Sequence, residues 1–334
     1  MSDINFEDKD RDVFRRLKSS GRISSGLRRV MTQQHNRCSI CGKLIEDKRP
    51  AFAGYDCAGS PLLACADCSD TLKELATPVY WSGTLDLSID EKQALWRYMD
   101  FSKFVAMLQQ GGLYFTRAAS FSDPFEGAAG IASREIAWNR HYLDFFKDAV
   151  ITPPPGYPPV KKTEVEVDQE AARLLDQLKT GYSRARDLLV SCWHMNDVES
   201  EALWQIYCSP GAPGVAVRTN AERLWGATRN EQNANVGKVH YIDFTKRFAS
   251  GDQRIYCKRS SLAHEREVRA VLPNDFAKPL NGRLVPCDLN DLVEQVVVSP
   301  YAPPWFQSVV EETISKFGYS VPVAASEIEE APFY

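Results

Sequence analysis

The spacing of apolar residues along the chain changes several times between a helical period and a strand period. Helical spacing predicts helices over residues 101–112, 134–150, 164–188 and 308–319. In the first of these, Phe101, Phe104 and Leu108 lie on one face, and the pair Gly111-Gly112 is expected to end the helix. Such one-sided apolar faces indicate helices that pack on a core.

Short runs rich in β-branched and aromatic residues predict strands between these helices. The runs are residues 113–118, 188–193, 214–219, 237–242, 267–272 and 293–300. The sequence Ser88-x-x-Glu91 resembles a capping box and predicts that a further helix begins there. Because strands and helices do not alternate regularly, the pattern predicts an α+β fold with a mixed sheet.

The N-terminal part of the chain has a different character. Residues 9–18 and 26–35 are predicted as two short helices separated by Ser and Gly, and a cluster of cysteines follows them. Residues 1–78 are therefore predicted to form a basic helical arm with a cysteine-rich module. Residues 79–88 are predicted as a linker, and residues 89–334 as the α+β domain.

The composition is typical of a soluble globular protein. The 334 residues are 44% hydrophobic and 25% charged, which excludes collagen, a coiled coil and wholesale disorder. No run of 18 apolar residues is present, so no membrane-spanning helix is expected. The acidic, polar start predicts no secretory signal, and we expect a cytoplasmic protein whose nine cysteines are thiols or metal ligands.

Basic residues are concentrated near the N-terminus. The chain as a whole carries a net charge of −4, whereas its first 50 residues hold 12 Lys/Arg and 7 Asp/Glu. Within this segment, Arg28, Arg29 and Arg37 are candidate contacts for the phosphates of a nucleic acid. The alternative is a solvated helical surface without a partner.

Two Cys-x2-Cys pairs predict a metal site. Cys38 and Cys41 form the first pair, and Cys65 and Cys68 form the second. In an intracellular chain, two such pairs are typical of a structural zinc ion held by four thiolates in a closed tetrahedron. Four reduced, buried cysteines are the alternative, and Cys57 is either a replacement ligand or a free thiol.

The cysteine segment resembles the treble-clef zinc module of HNH-type nucleases. That module places a histidine after an acidic residue, whereas here the matching place reads Tyr55-Asp56-Cys57. The resemblance therefore implies metal binding without the nuclease reaction, because a closed four-cysteine site leaves no open position on the metal.

Four fragments of the C-terminal part carry a second resemblance. They are LWRYMDFSKFVAMLQQGGLYFTRAASFSDPFEG (95–127), LLVSCWHMNDVESEALWQIYCSPGAPGVAVRT (188–219), KVHYIDF (238–244) and HEREVRAVL (264–272). In this order they resemble the bacterial family called domain of unknown function 2971, over residues 95–334. The sequence departs from that family at Leu203-Trp204, where the family often has Met-Trp. The resemblance implies a fold family and no established reaction.

Several residues of these fragments are candidates for chemistry. His194 ends a predicted strand and is either a general acid or base or an exposed side chain. Trp204 and Tyr207 share a helical face, which suits either stacking on a nucleotide ring or core packing. Strand alternation places Glu267 on one face with the charged side chains of Glu265 and Arg269. That face is either exposed to solvent or lines a cleft.

The order of these elements is similar to that of ADP-ribosyltransferases, which cleave NAD. The similarity implies that Arg97, with Tyr98 beside it, holds the nucleotide. It implies further that Ser191 or Tyr207 packs the nicotinamide and that Glu267 drives its departure. This is a fold-level analogy, because the typical Ser-Thr-Ser strand is absent.

Three hypotheses about function follow. The first is an NAD-consuming, ADP-ribosyltransferase-like enzyme in phage defence or toxin-like control, with a zinc module that binds nucleic acid. The second is a non-enzymatic module that senses nucleic acid or a nucleotide, and the third is an HNH-derived nuclease. The enzyme hypothesis predicts that Arg97, Ser191 and Glu267 meet in one cleft, whereas a sensor needs only an aromatic-lined cleft.

Overall fold

A computed structural model describes residues 28–31, 36–46, 49–55, 61–69, 71–72, 85–151, 162–208, 213–245, 248–249, 251, 253–330 and 332–334. Contacts divide the chain into two compact units that are each discontinuous in sequence. Unit 1 comprises the described residues of 1–85, 127–185 and 242–254, and unit 2 comprises those of 86–126, 186–241 and 255–334. The predicted division at residues 79–88 remains a prediction.

The strands, in chain order, are β1 (Arg28–Met31), β2 (Asn36–Arg37), β3 (Leu44–Ile45), β4 (Pro50–Tyr55), β5 (Pro61–Ala64), β6 (Ala94–Asp100), β7 (Gly112–Arg117), β8 (Leu189–Met195), β9 (Gly214–Asn220), β10 (Asn235–Lys238), β11 (His240–Ile242), β12 (Cys257–Arg259), β13 (Glu267–Leu272), β14 (Gly282–Pro286), β15 (Gln295–Val298) and β16 (Val323–Ala324). The α-helices are α1 (Phe101–Gln110), α2 (Glu135–Ile151), α3 (Glu164–Ser183), α4 (Glu201–Tyr207), α5 (Ala221–Thr228), α6 (Leu289–Leu292) and α7 (Phe306–Lys316). The predicted α+β class with a mixed sheet is confirmed.

Unit 1 contains a small sheet, a hairpin and two long helices. Strands β1, β4 and β5 form an antiparallel sheet in that order, and β2 pairs with β3. Helix α3 begins with a capping box in which Thr163 and Glu166 exchange hydrogen bonds. Trp138, Tyr142 and Phe248 form an aromatic core with the inner faces of α2 and α3.

The helix predicted over residues 26–35 is wrong at its centre, because Arg28–Met31 is a strand. It pairs with β4 so that Arg28 is opposite Ala53 and Met31 is opposite Pro50. Pairing with a neighbouring strand satisfies its backbone groups, and such tertiary pairing overrides a weak local helical pattern. The helix predicted over residues 9–18 lies outside the described residues.

Unit 2 is built on a nine-stranded mixed sheet. Its main path runs β10-β13-β8-β6-β9-β15-β16, while β7 pairs with β8 and β14 pairs with β7. The β15–β16 pair is parallel and the other pairs are antiparallel. Helices α1, α5 and α7 supply buried side chains such as Phe104, Leu224 and Val310 to its main core.

The sheet of unit 2 splits along β8. Strand β6 pairs with β8 only through Leu95 and Trp96, and β7 pairs with β8 only through Thr116 and Arg117. Residues 191–193 of β8 therefore have register partners on β13 but none on β6 or β7. Because β6 and β7 diverge here, the sheet opens between them, and this opening positions the candidate site.

Helix α1 connects the two diverging strands. The side chain of Asp100 accepts a hydrogen bond from the backbone N–H of Lys103 and caps the N-terminus. Gly111 ends the helix in the left-handed region at φ 63°, where L residues are strained. The predicted end of this helix at Gly111-Gly112 is confirmed.

The helix predicted to begin at Ser88 is wrong. Ser88 donates to the carboxylate of Asp86, and after a turn the chain enters β6. Strand β6 lies between β8 and β9, and Leu95, Trp96 and Tyr98 are buried on its two faces. A strand buried on both faces has no simple alternation, so its apolar residues suit a helical pattern equally well.

Candidate functional site

A cavity of about 790 Å³ lies where the sheet of unit 2 splits. It is lined by side chains from β6, α1, β7, β8, β12 and β13 and from the loop over residues 121–126. Its volume falls in the range of roughly 300–1,000 Å³ that is typical of small-molecule sites. The lining combines aromatic side chains with an unusual number of charged ones.

Arg97 is a half-buried cation in the lining. Its guanidinium donates to the hydroxyl of Ser191 at 3.0 Å and lies 5.7 Å from the centroid of the Trp193 ring. Among the described residues, no carboxylate forms an ion pair with it. Burial lowers the pKa of Arg97, yet a guanidinium stays protonated in proteins. An uncompensated, half-buried cation at a cavity wall suits an anionic ligand.

Three carboxylates and two cations of the same lining form a largely buried network. Arg269 pairs with Glu267 at 2.7 Å and with Glu126 at 2.7 Å. Lys258 lies 2.9 Å from Glu267 and 2.5 Å from Glu265. Because carboxylates outnumber cations, the network carries one formal negative charge.

The network keeps Glu267 ionised. Burial alone would raise the pKa of the Glu267 carboxyl, but the positive charges of Arg269 and Lys258 outweigh it and lower the pKa to about 2. The same pairing raises the pKa of Lys258 and of Arg269. The backbone N–H of Glu267 also donates to the Tyr241 hydroxyl at 2.7 Å, which fixes the start of β13.

Three aromatic rings cluster beside the network. The His194 ring lies 6.0 Å from that of Tyr98 and 5.7 Å from that of Tyr207, and the two tyrosine rings are 6.5 Å apart with an interplanar angle of 18°. Nδ1 of His194 lies 2.8 Å from the backbone carbonyl oxygen of Glu265. Tyr207 is 42% exposed, so it stands at the rim of the cavity.

Two of the residues predicted for the site support its wall and are not in its lining. Ser191 is buried beneath Arg97 as its hydrogen-bond partner. Trp204 is fully buried, packs edge-on against Tyr98 at 4.9 Å, and donates from its indole nitrogen to Glu199 at 2.8 Å. Core packing is therefore the observed role of the Trp204 side chain.

The remaining candidates line one cavity, namely Arg97, Tyr98, His194, Tyr207 and Glu267. In the charged alternation at residues 265–269, Glu267 and Arg269 are buried and Glu265 is half-buried, so it does not form a solvent-exposed face. Lys258 was missed, because a lone lysine in the segment Cys257–Arg259 has no periodic signal. The sequence also does not predict the ion pair between Arg259 and Asp123, whose charged groups lie 2.9 Å apart.

The four cysteines of unit 1 form a candidate metal centre. The Sγ atoms of Cys38, Cys41, Cys65 and Cys68 all lie within 4.8 Å of one another. The Sγ atoms of Cys41 and Cys65 are 3.8 Å apart, and four sulfurs in a tetrahedron of Zn–S bonds of about 2.3 Å would have about this separation. The cluster can hold a metal ion such as zinc.

Local geometry brings the two cysteine pairs together. In the β2–β3 hairpin, the N–H of Cys38 donates to the carbonyl of Lys43 at 2.9 Å, and Gly42 adopts a φ of 70°. In the second pair, the N–H of Cys68 donates to the carbonyl of Cys65 at 3.0 Å. Each pair is thus held by a tight turn. Cys57 lies outside the described residues.

The predicted contacts for nucleic acid lie in β1 and β2. Arg28 and Arg29 are the first two residues of β1. Arg37 is exposed and donates to the carbonyl of Gly42 at 3.0 Å, next to the first cysteine pair. The predicted contact with nucleic acid remains a prediction.

Across the part of the chain that the structure describes, no helix has the length and apolar character needed to cross a membrane. Comparisons with protein-family models, curated proteins and solved structures found no match to this chain. The resemblance of residues 95–334 to the domain of unknown function 2971 family therefore remains a prediction.

Proposed function

We propose that unit 2 is an NAD-consuming enzyme of ADP-ribosyltransferase type. The observation that carries the proposal is that Arg97 and Glu267 line one cavity at the split of the sheet. Arg97 offers an uncompensated cation for the diphosphate of NAD, and Tyr98 and Tyr207 offer aromatic faces for a flat ring. The ionised Glu267 stabilises positive charge that develops on the ribose as nicotinamide leaves.

A second candidate function is nucleotide sensing without catalysis. It is favoured by the close pairing of Glu267 with Lys258 and Arg269, because a carboxylate whose charge is balanced stabilises a cationic transition state less strongly. In this case the cavity binds a nucleotide, and the bound state is recognised by another molecule.

One experiment separates these functions. The purified protein is titrated with NAD and with ADP-ribose by calorimetry, and nicotinamide release is followed by chromatography with and without added nucleic acid or cell extract. Binding together with release supports the enzyme, and binding without release under any condition supports the sensor. If neither NAD nor ADP-ribose binds, both proposals for this cavity are wrong.

Arg97→Gln is expected to weaken nucleotide binding. Glutamine is shorter than arginine and uncharged, so both the charge and the contact with Ser191 are lost, and a hydrogen bond to a charged group contributes about 1.5–3 kcal/mol. Affinity for ADP-ribose should fall by roughly 10- to 100-fold in calorimetry. Arg229→Gln, at an exposed arginine at the end of α5, is the matched control and should bind normally. Equal affinity of both variants would contradict the role of Arg97.

We also propose that the four-cysteine cluster holds one structural zinc ion in a treble-clef module. The donor set supports this, because four thiolates suit zinc and close its coordination sphere. An HNH-type nuclease would need an open metal position and a histidine near it, so nuclease activity does not fit this donor set. The biological role that we propose for NAD consumption by this protein is phage defence or toxin-like control.

The proposed partner of this module is a nucleic acid. Replacing Arg28, Arg29 and Arg37 by alanine should weaken binding to DNA or RNA at low salt. A plot of the logarithm of the binding constant against the logarithm of the salt concentration should also become shallower, by about 0.9 in slope on duplex DNA for each phosphate that the variant no longer neutralises. Fluorescence anisotropy over a series of salt concentrations measures both effects. The charge-matched control carries alanine at Lys92, Arg229 and Lys316. If parent and variant bind equally, the basic segment is a solvated surface.

A further inference from the structure

His194 presents one ring nitrogen to the cavity and holds the other in place. Nδ1 lies 2.8 Å from the backbone carbonyl oxygen of Glu265, and a carbonyl only accepts, so Nδ1 carries the proton. In the neutral ring Nε2 then has a free lone pair. Among the described residues, no group is hydrogen-bonded to Nε2, and the side chain lines the cavity. The anchored tautomer is the arrangement that a general base requires.

The register of the sheet places this nitrogen next to the carboxylate network. His194 is directly opposite Glu267 in the β8–β13 pair, so both side chains lie on the same face. The charged and titratable groups that face the ring are Glu267 from β13, Glu265 before it and Lys258 from β12, together with the phenols of Tyr98 and Tyr207.

The two candidate proton acceptors differ in how their surroundings hold them. Glu267 has a pKa of about 2 because Arg269 and Lys258 stabilise its ionised form, and so weak a base is poorly suited to taking a proton from an alcohol. Burial lowers the pKa of His194 below its usual value, so the ring is neutral at pH 7 and its Nε2 lone pair can accept a proton. The carboxylate is suited to stabilising charge and the imidazole to accepting a proton.

Building on the NAD cleavage proposed above, we infer that His194 is the general base of unit 2 and that the group accepting the ribosyl unit is a hydroxyl, from water or from an alcohol. A hydroxyl is a poor nucleophile until it loses its proton, and a positioned imidazole supplies the base that it needs.

The step balances without a further reactant. The bond between the ribose C1′ and the nicotinamide nitrogen breaks, and its electron pair leaves with nicotinamide. The hydroxyl oxygen forms the new bond to C1′, and its proton passes to Nε2 of His194 and then to solvent. Nothing is oxidised or reduced, and water alone completes the reaction as hydrolysis to ADP-ribose.

The first test compares the parent with His194→Asn. Asparagine can keep a donor near the position of Nδ1, towards the Glu265 carbonyl, but it has no base at the position of Nε2. Nicotinamide release in water should fall by about 10²–10⁴-fold, while ADP-ribose affinity stays within about twofold of the parent. Added imidazole should restore part of the lost rate, which a purely structural role would not produce.

The second test uses the parent alone and does not depend on the folding of a variant. Nicotinamide release should be constant at neutral pH. It should fall by about tenfold per pH unit once the solution is acidic enough to protonate His194, which happens below the ordinary imidazole pKa of about 6.5. Glu267 stays ionised throughout that range, so it cannot cause the loss. A profile that stays flat from pH 8 down to pH 3, or a His194→Asn variant as active as the parent, overturns the inference while leaving NAD cleavage intact. If the parent releases no nicotinamide, the proposed enzyme and this inference fail together.

Discussion

Glu267→Gln should lower nicotinamide release from NAD by roughly 10²–10³-fold, the usual loss when one preorganised electrostatic interaction with a transition state is removed. Glutamine keeps the shape of the side chain, but its single carbonyl oxygen replaces only one of the two carboxylate oxygens that accept from Arg269 and Lys258. It lacks the charge that stabilises a ribosyl cation. The measurement is nicotinamide release by parent and variant at neutral pH, with NAD binding determined in parallel.

The charges of the network make this variant informative. Among the described residues, the ion pairs of Glu126, Glu265 and Glu267 are made with Lys258 and Arg269, so the substitution leaves two carboxylates and two cations in balance. Removal of either cation would instead leave buried carboxylates poorly compensated, which typically costs about 3–5 kcal/mol. We therefore expect the variant to stay folded, with its thermal transition lowered by the loss of one buried hydrogen bond and not by an unbalanced charge.

A surface substitution provides the control for Glu267→Gln. Glu222 is exposed on α5, and Glu222→Gln removes the same charge without touching the cavity, so its rate should equal that of the parent. If Glu267→Gln retains the parent rate, the carboxylate is only a member of a structural ion network, and nucleotide sensing becomes the better description of unit 2.

The pH range of the assay follows from the pKa of Glu267. Its pKa in the folded protein is about 2, below the ordinary value of 4.5. A lowered pKa means that the ion pairs stabilise the fold above the ordinary value and that this stabilisation is lost as the pH falls through about 2. Between pH 5 and 8 Glu267 stays ionised, so changes in rate there report on other groups.

The sequence predicts the elements of unit 2 better than the environments of their side chains. The helix over residues 101–112 and its glycine end follow from a one-sided apolar pattern, and such local signals survive folding. The environment of Glu267 depends on Arg269, which follows it on β13, and also on Lys258 of β12 and, through Arg269, on Glu126, which meet it only in the folded chain. Long-range pairing of this kind leaves no periodic mark in a single sequence.

The two incorrect helices have different causes. At Arg28–Met31, a neighbouring strand supplies the hydrogen bonds that a short isolated helix would need from itself. At Ser88, the sequence does match a capping box, but the serine hydroxyl donates a hydrogen bond to Asp86. The apolar run that follows, Ala94–Asp100, is a central strand. A helix signal next to a run buried on both faces is therefore ambiguous.

Purified protein should contain about one zinc ion per chain, and Cys65→Ser should lose it. Thiolates must assemble around the metal as the module folds, so the binding energy, about 10–16 kcal/mol for structural zinc in small modules, is folding energy. The apolar core around the cysteines is small, with Ile45, Phe52 and Leu72 among its few large buried side chains. A core of that size rarely folds without a metal or other cross-link.

Metal content and local folding can be measured on the same samples. Elemental analysis should give about one zinc for the parent and for Cys287→Ser, a half-buried cysteine of unit 2, and almost none for Cys65→Ser. Limited proteolysis should cut within residues 36–72 in Cys65→Ser and in parent protein treated with a strong chelator, because the turns around both cysteine pairs lose their anchor. A metal-free parent that resists cleavage in this segment as well as the zinc form does would show that packing alone holds the module, and the four cysteines would then be buried thiols.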